Sequence, residues 1–138
     1  LRQTRQFETT GQLAEAVADV IPRTGRRHPA TRVFQALRIA VNDELGSLQR
    51  GLDAISERLA RGARFGVITF HSLEDRMVKR YFKHRSSEWM DRPEWPEPRR
   101  NPDHIFRLLT PHPIDPCPEE VEANPRARSA KLRIVERL

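Results

Sequence analysis

The stretch Arg64-Phe-Gly-Val-Ile-Thr-Phe-His-Ser-Leu-Glu-Asp-Arg76 constrains this chain more than any other. Val67, Ile68 and Phe70 form a short apolar run rich in β-formers, which predicts a strand covered on both faces, as in a parallel sheet. Ser72 then reads as the N-cap of a following helix, with Asp75 three residues on as a variant capping box and Glu74 freer to face a ligand. A strand running straight into a helix is half of a βαβ unit, so the expected fold class is α/β. Ligands in open α/β sheets bind beyond the carboxyl ends of strands, where His71, Ser72, Glu74 and Asp75 are concentrated.

Upstream, Phe34, Leu37, Val41, Leu45, Leu48, Leu52, Ile55 and Leu59 recur at spacings of three and four, predicting one long helix from Pro29 or Ala30 to Arg61. Pro29 suits its first turn and Gly62 its stop, while Gly46 and Gly51 are candidate close-packing points. A shorter helix is expected over 9–21, opened by a Thr9/Gln12 capping box and ended by Pro22. The basic segment 22–28 is read as a domain boundary, dividing the chain into 1–28 and 29–138. Past the central strand, a helix is expected from Leu73 to Lys83, burying Leu73, Met77, Val78 and Tyr81 or Phe82. Residues 84–103, broken by Pro93, Pro96, Pro98 and Pro102, read as an exposed loop. A strand over 105–110, a short helix over 118–123 and a last strand over 129–138 complete the chain. One parallel-type strand cannot build a sheet, and the sequence opens on Leu1 in a polar stretch, so a portion of a larger protein is expected.

The chain carries 25 Lys+Arg against 19 Asp+Glu, a formal charge of +6, and all but three of its basic residues are arginine. Arginine's planar donor fork suits phosphate, which favours a polyanionic partner. An Arg-rich surface without a partner is the bland alternative. The aromatic residues suffice for a core and form no obvious base-stacking platform. One cysteine, Cys117, allows no internal disulfide; with no apolar span and no signal peptide, the expectation is a cytoplasmic protein that does not enter membranes. His28, His71, His84, His104 and His112 lack metal-ligand spacing, so no metal is expected. GxSxG, Walker A and GxGxxG motifs are absent.

On the long helix, Gln35, Arg38 and Asn42 fall on one flank of the apolar stripe, within about 60° of one another at about 100° per residue. Such half-buried polar groups need partners, and a network fastening helix to sheet weighs evenly with a substrate-facing role. Arg32 points away from the stripe, as a phosphate or surface contact would. His71 is a candidate general acid/base or hydrogen-bond donor to a base, against the equally common junction histidine bonded to backbone. In Asn124-Pro-Arg-Ala-Arg-Ser-Ala-Lys131, Arg126, Arg128 and Lys131 sit on a constrained turn able to clamp a phosphate backbone; a solvated basic loop is the alternative.

Three blocks, His28 to Leu45 (HPATRVFQALRIAVNDEL), Phe70 to Arg76 (FHSLEDR) and Asn124 to Arg133 (NPRARSAKLR), closely resemble the MraW/RsmH family of S-adenosylmethionine-dependent 16S rRNA (cytosine-N4)-methyltransferases. The resemblance covers the whole chain but only the C-terminal half of the family's protein. It implies the C-terminal half of a class I, Rossmann-like methyltransferase sheet, with residues 1–28 as the end of an inserted helical substrate domain. The strands at 105–110 and 130–137 would be the last two of that sheet, the final one antiparallel. It implies methyl transfer to N4 of a cytidine in 16S rRNA, this chain supplying the substrate-side half. The S-adenosyl-L-methionine site would lie mainly in the other half. Candidate catalytic residues are His71, Glu74 and Asn42; candidate RNA-binding residues are Arg32, Gln35, Arg38, Ser72, Arg126, Arg128 and Lys131. The partner would be 16S rRNA or the small ribosomal subunit, with a homodimer left open. Two other readings compete: a stand-alone basic RNA-binding module without catalysis, and the end of a different Rossmann-like enzyme such as a dehydrogenase.

Overall fold

The computed structural model describes residues 6–23 and 28–138. They fall in two compact units, residues 1–46 and residues 47–138. Residues 24–27 of the basic segment, where the sequence places a boundary, lie outside the described residues. No described helix is long and apolar enough to cross a membrane.

The first unit contains α1 (Thr10–Val20) and α2 (Ala30–Asn42). The capping box expected at Thr9 is present: the Gln12 amide donates to the Thr9 hydroxyl at 3.3 Å, and the Thr9 amide donates to the Gln12 side chain at 3.3 Å. The long helix expected over 29–61 is instead two. Asp43 takes the left-handed conformation (φ 47°, ψ 44°) with its N–H donating to the Ile39 carbonyl, and α3 (Glu44–Arg58) restarts immediately. Aspartate visits this region more readily than most residues. Gly46 makes room for the joint, since a Cβ there would collide with the Asp43 carboxylate. Gly51 has open space around it, so only Gly46 is a close-packing point, and Gly62 (φ 77°) provides the expected stop. Because the helix is broken, its apolar stripe is not one buried face: Leu52 is buried, whereas Val41 is 82% exposed.

The second unit is a three-stranded sheet of β1 (Arg64–Thr69), β5 (Lys131–Arg137) and β4 (Phe106–Leu108), in the order β1-β5-β4. Both pairings are antiparallel, so the final strand runs as expected. α4 (Ser72–Arg85) lies across the face that carries Phe65, Val135 and Phe106. Phe82 meets Phe65 and Phe106 edge-on, with ring centroids 5.5 and 6.0 Å apart, and Leu52 and Val78 close this core. T-shaped contacts between buried rings add to the transfer of their area from water.

The central strand departs from expectation in its burial. Phe65 and Thr69 are buried on the α4 side, but Ile68, on the other face, is 59% exposed and Phe70 beyond the strand is 55% exposed. Leu73, expected in the core, is also exposed. Among the described strands β1 pairs only with β5, which leaves its second edge unpaired. The apolar run predicts a strand clad on both faces, whereas the described residues clad one.

Residues 84–103 are not a structureless loop. They hold a hairpin of β2 (Trp89–Met90) and β3 (Arg99–Arg100), tied down by buried Asn101. α5 (Pro118–Ala123) starts with Cys117 accepting the Glu120 amide at its sulfur, and a 3-10 turn (Pro125–Ser129) leads into β5.

Candidate functional site

The sheet register brings two separate sequence motifs to one end of the second unit. Thr69, the last residue of β1, lies opposite Lys131, the first of β5, and its hydroxyl contacts the Lys131 carbonyl at 3.4 Å. The turn after β1 and the arginine-bearing turn before β5 therefore adjoin.

The first turn is a reciprocal cap, although not the one expected. His71, not Ser72, is the N-cap: its Nδ1 accepts the Glu74 amide at 3.2 Å, and the Glu74 carboxylate accepts the Phe70 and His71 amides at 2.8 and 3.1 Å. An accepting Nδ1 leaves the ring proton on Nε2, which sits 3.5 Å from Glu74. Ser72 is the exposed first residue of α4. Glu74, expected to be freer, is consumed by capping. A carboxylate accepting two successive amides at a helix start also answers the helix dipole.

Asp75 has a different task from the capping expected of it. Its carboxylate receives both Nε and Nη2 of Arg133, at 2.8 and 3.1 Å. Arg133 is 5% exposed, at the centre of β5. The bidentate pair pins the first turn of α4 to the middle strand and thereby fixes the His71–Glu74 cap above the sheet end.

In the second turn, Asn124 accepts the Arg126 amide at 3.2 Å and Ala127 is buried. Arg126 and Arg128 flank that anchor and are both exposed. Lys131, expected to join them, is paired with Asp115 at 2.8 Å. Two arginines, not two arginines and a lysine, are thus presented on a fixed backbone.

In the first unit, the flank read from helical spacing holds in part. Arg38 makes a two-pronged pair with Glu44 (2.7 and 3.1 Å), which also accepts the Asn42 side-chain amide at 3.4 Å. These bonds span the left-handed joint at Asp43, a local structural use for Arg38 and Asn42. Gln35 is partly buried and Arg32 is exposed in the first turn of α2.

A network that sequence reasoning missed joins α3 to α4. The Tyr81 hydroxyl lies 2.8 Å from Asp53 and 3.0 Å from Ser56, while Gln49 and Arg85 donate to Asp53 at 3.0 and 3.2 Å. The Arg85 guanidinium also lies 4.6 Å from the Tyr81 ring centre. Hydrogen bonds from Gln49 and Tyr81, with the Arg85 charge, hold the Asp53 carboxyl below its usual value despite some desolvation. Burial, opposed by the Ser56 bond and reinforced by Asp53, pushes the Tyr81 phenol up. The available signal was Gln49, Asp53 and Ser56 on one helical face, facing Tyr81 and Arg85 four residues apart.

A model of the MraW methylase family matches residues 1–138. The protein named ribosomal RNA small subunit methyltransferase H of Paramagnetospirillum magneticum is 54% identical over 99% of this chain and 44% of its own length. Proteins of the same name from Rippkaea orientalis (51% identical; 98% of this chain, 40% of their own) and Crocosphaera subtropica (54%; 99% and 39%) match similarly. The chain thus spans 39–44% of the length of these relatives. With the family match running end to end and both turns at one sheet end built from the blocks that carry the resemblance, the chain belongs to the MraW methylase family.

Proposed function

We propose that this chain forms the C-terminal, substrate-side part of an S-adenosylmethionine-dependent methyltransferase that modifies N4 of a cytidine in 16S rRNA. Its residues 1–28 would end an inserted helical domain, and residues 29–138 would complete a class I methyltransferase sheet. The observation that carries the proposal is the pairing of Thr69 with Lys131, which sets the capped turn and the arginine turn side by side. The unpaired edge of β1 and the exposure of Ile68 and Phe70 support a sheet continued by other chain, and weigh against a stand-alone RNA-binding module.

The described residues do not supply a cofactor cradle. No described glycine stands at a strand-to-helix turn, and the Phe70 and His71 amides already donate to Glu74. This chain's own residues bind and orient: exposed Arg126 and Arg128 engage the phosphate backbone, and His71 and Glu74 hold the turn rigid beside them.

Methyl transfer by the full-length protein to small-subunit RNA, mapped by mass spectrometry, tests this. A single N4-methylated cytidine is expected, and no incorporation overturns it. Arg126→Ala with Arg128→Ala should raise KM for RNA about tenfold with cofactor affinity unchanged; an unchanged KM rejects the clamp.

A further inference from the structure

The hairpin at 89–100 carries a feature that the turns beyond β1 do not use. Trp89 lies opposite Arg100 in the two-stranded ladder, with that guanidinium 5.6 Å from its ring centre. Arg92 and Arg99 lie 5.0 and 4.9 Å from the Trp95 ring centre. Neither tryptophan belongs to the core cluster, and Trp89 is 51% exposed even with its arginine in place. Two large rings, Trp89 exposed and Trp95 half-buried, thus stack with three guanidiniums outside the core cluster.

The stack stands on a rigid base. Asn101 is buried, and its side-chain amide donates to the His84 and Ser87 carbonyls at 2.6 and 2.9 Å. Its backbone N–H donates to the Glu88 carbonyl, and its side-chain oxygen accepts the Asp103 amide. Ile105 N–H adds a bond to the Arg85 carbonyl, welding the hairpin to the end of α4. A hairpin anchored this way loses little backbone freedom when a ligand stacks on its rings.

Charge narrows what that ligand can be. Across residues 88–103, Glu88, Asp91, Glu94, Glu97 and Asp103 outnumber Arg92, Arg99 and Arg100, so this is no phosphate-binding patch. Arg100 is itself shared with Glu88 at 3.7 Å. Flat π faces and flat cations without net positive charge favour flat, π-bearing groups, and unpaired bases stack on such platforms with little regard to sequence. We propose that the Trp89–Arg100 hairpin is a second RNA contact, which stacks unpaired bases about 20 Å along α4 from the capped turn. It rests on the small-subunit RNA reading and adds to it a site for single-stranded segments flanking the target.

The test measures binding of naked small-subunit RNA, of the assembled small subunit and of S-adenosylmethionine to the full-length protein. Trp89→Ala with Trp95→Ala should weaken RNA binding at least about fivefold, leaving the salt slope and cofactor affinity unchanged. The Trp89→Phe, Trp95→Phe protein, which keeps both π faces, should retain most of that affinity. Unchanged RNA affinity in the alanine protein overturns the proposal, as does an equal loss in the phenylalanine protein, which marks the rings as folding elements. Loss confined to the assembled small subunit also overturns it, in favour of a ribosomal protein as partner. Wild-type protein without affinity for the RNA instead overturns the rRNA reading itself.

Discussion

Asp75 and Arg133 come from segments 58 residues apart, yet their pair decides how the motif around His71 is held. Nothing in FHSLEDR says which acid caps and which pairs; Glu74 and Asp75 are equally suited by type. The helix phase settles it, because the third helical position faces back to the open amides while the fourth faces the sheet. Truncating one member of a buried pair strands the other's charge. Asp75→Ala should therefore lower stability of the full-length protein by about 3–5 kcal/mol in urea unfolding. Asp75→Ala combined with Arg133→Met should recover much of that loss. A single variant of wild-type stability would show that the pair does not hold the turn.

At the scale of elements, the polar seam between α3 and α4 makes stability depend on pH at both extremes. Asp53 has a lowered carboxyl pKa, so its contribution is present above the unfolded aspartate value of about 3.9 and is lost as pH falls through the lower folded value. Asp53→Asn should flatten the acid limb of the stability profile below about pH 4. Tyr81 has a raised pKa, so its contribution is intact below about pH 10 and is lost as pH climbs beyond that. Tyr81→Phe should flatten the alkaline limb. Thermal melts across pH check both, and parallel curves for wild type and variants would reject the seam's role. The helix break at Asp43 belongs to this scale as well. Apolar spacing of three and four continues through it, so periodicity alone could not show one residue in the left-handed region.

For the whole molecule, the second face and free edge of the sheet are the deciding features. Ile68→Lys should lower stability of the full-length protein by about 2 kcal/mol or more if other chain covers that face, because an apolar contact is lost and a charge is buried. The same change should reduce self-association of the isolated chain in light scattering. An unaltered melting temperature in the full-length protein would argue that Ile68 stays in water. The sequence alone determined a strand opening at Arg64, the helix after it, the Thr9 cap and the short helix at 118–123, because short-range periodicity and capping chemistry carry those. Tertiary structure alone decided that Thr69 meets Lys131, that Asp75 takes Arg133 while Glu74 caps, and that Lys131 turns to Asp115. Those choices depend on sheet register and helix phase, which bring distant residues within hydrogen-bonding reach and leave no local trace in the order of the amino acids.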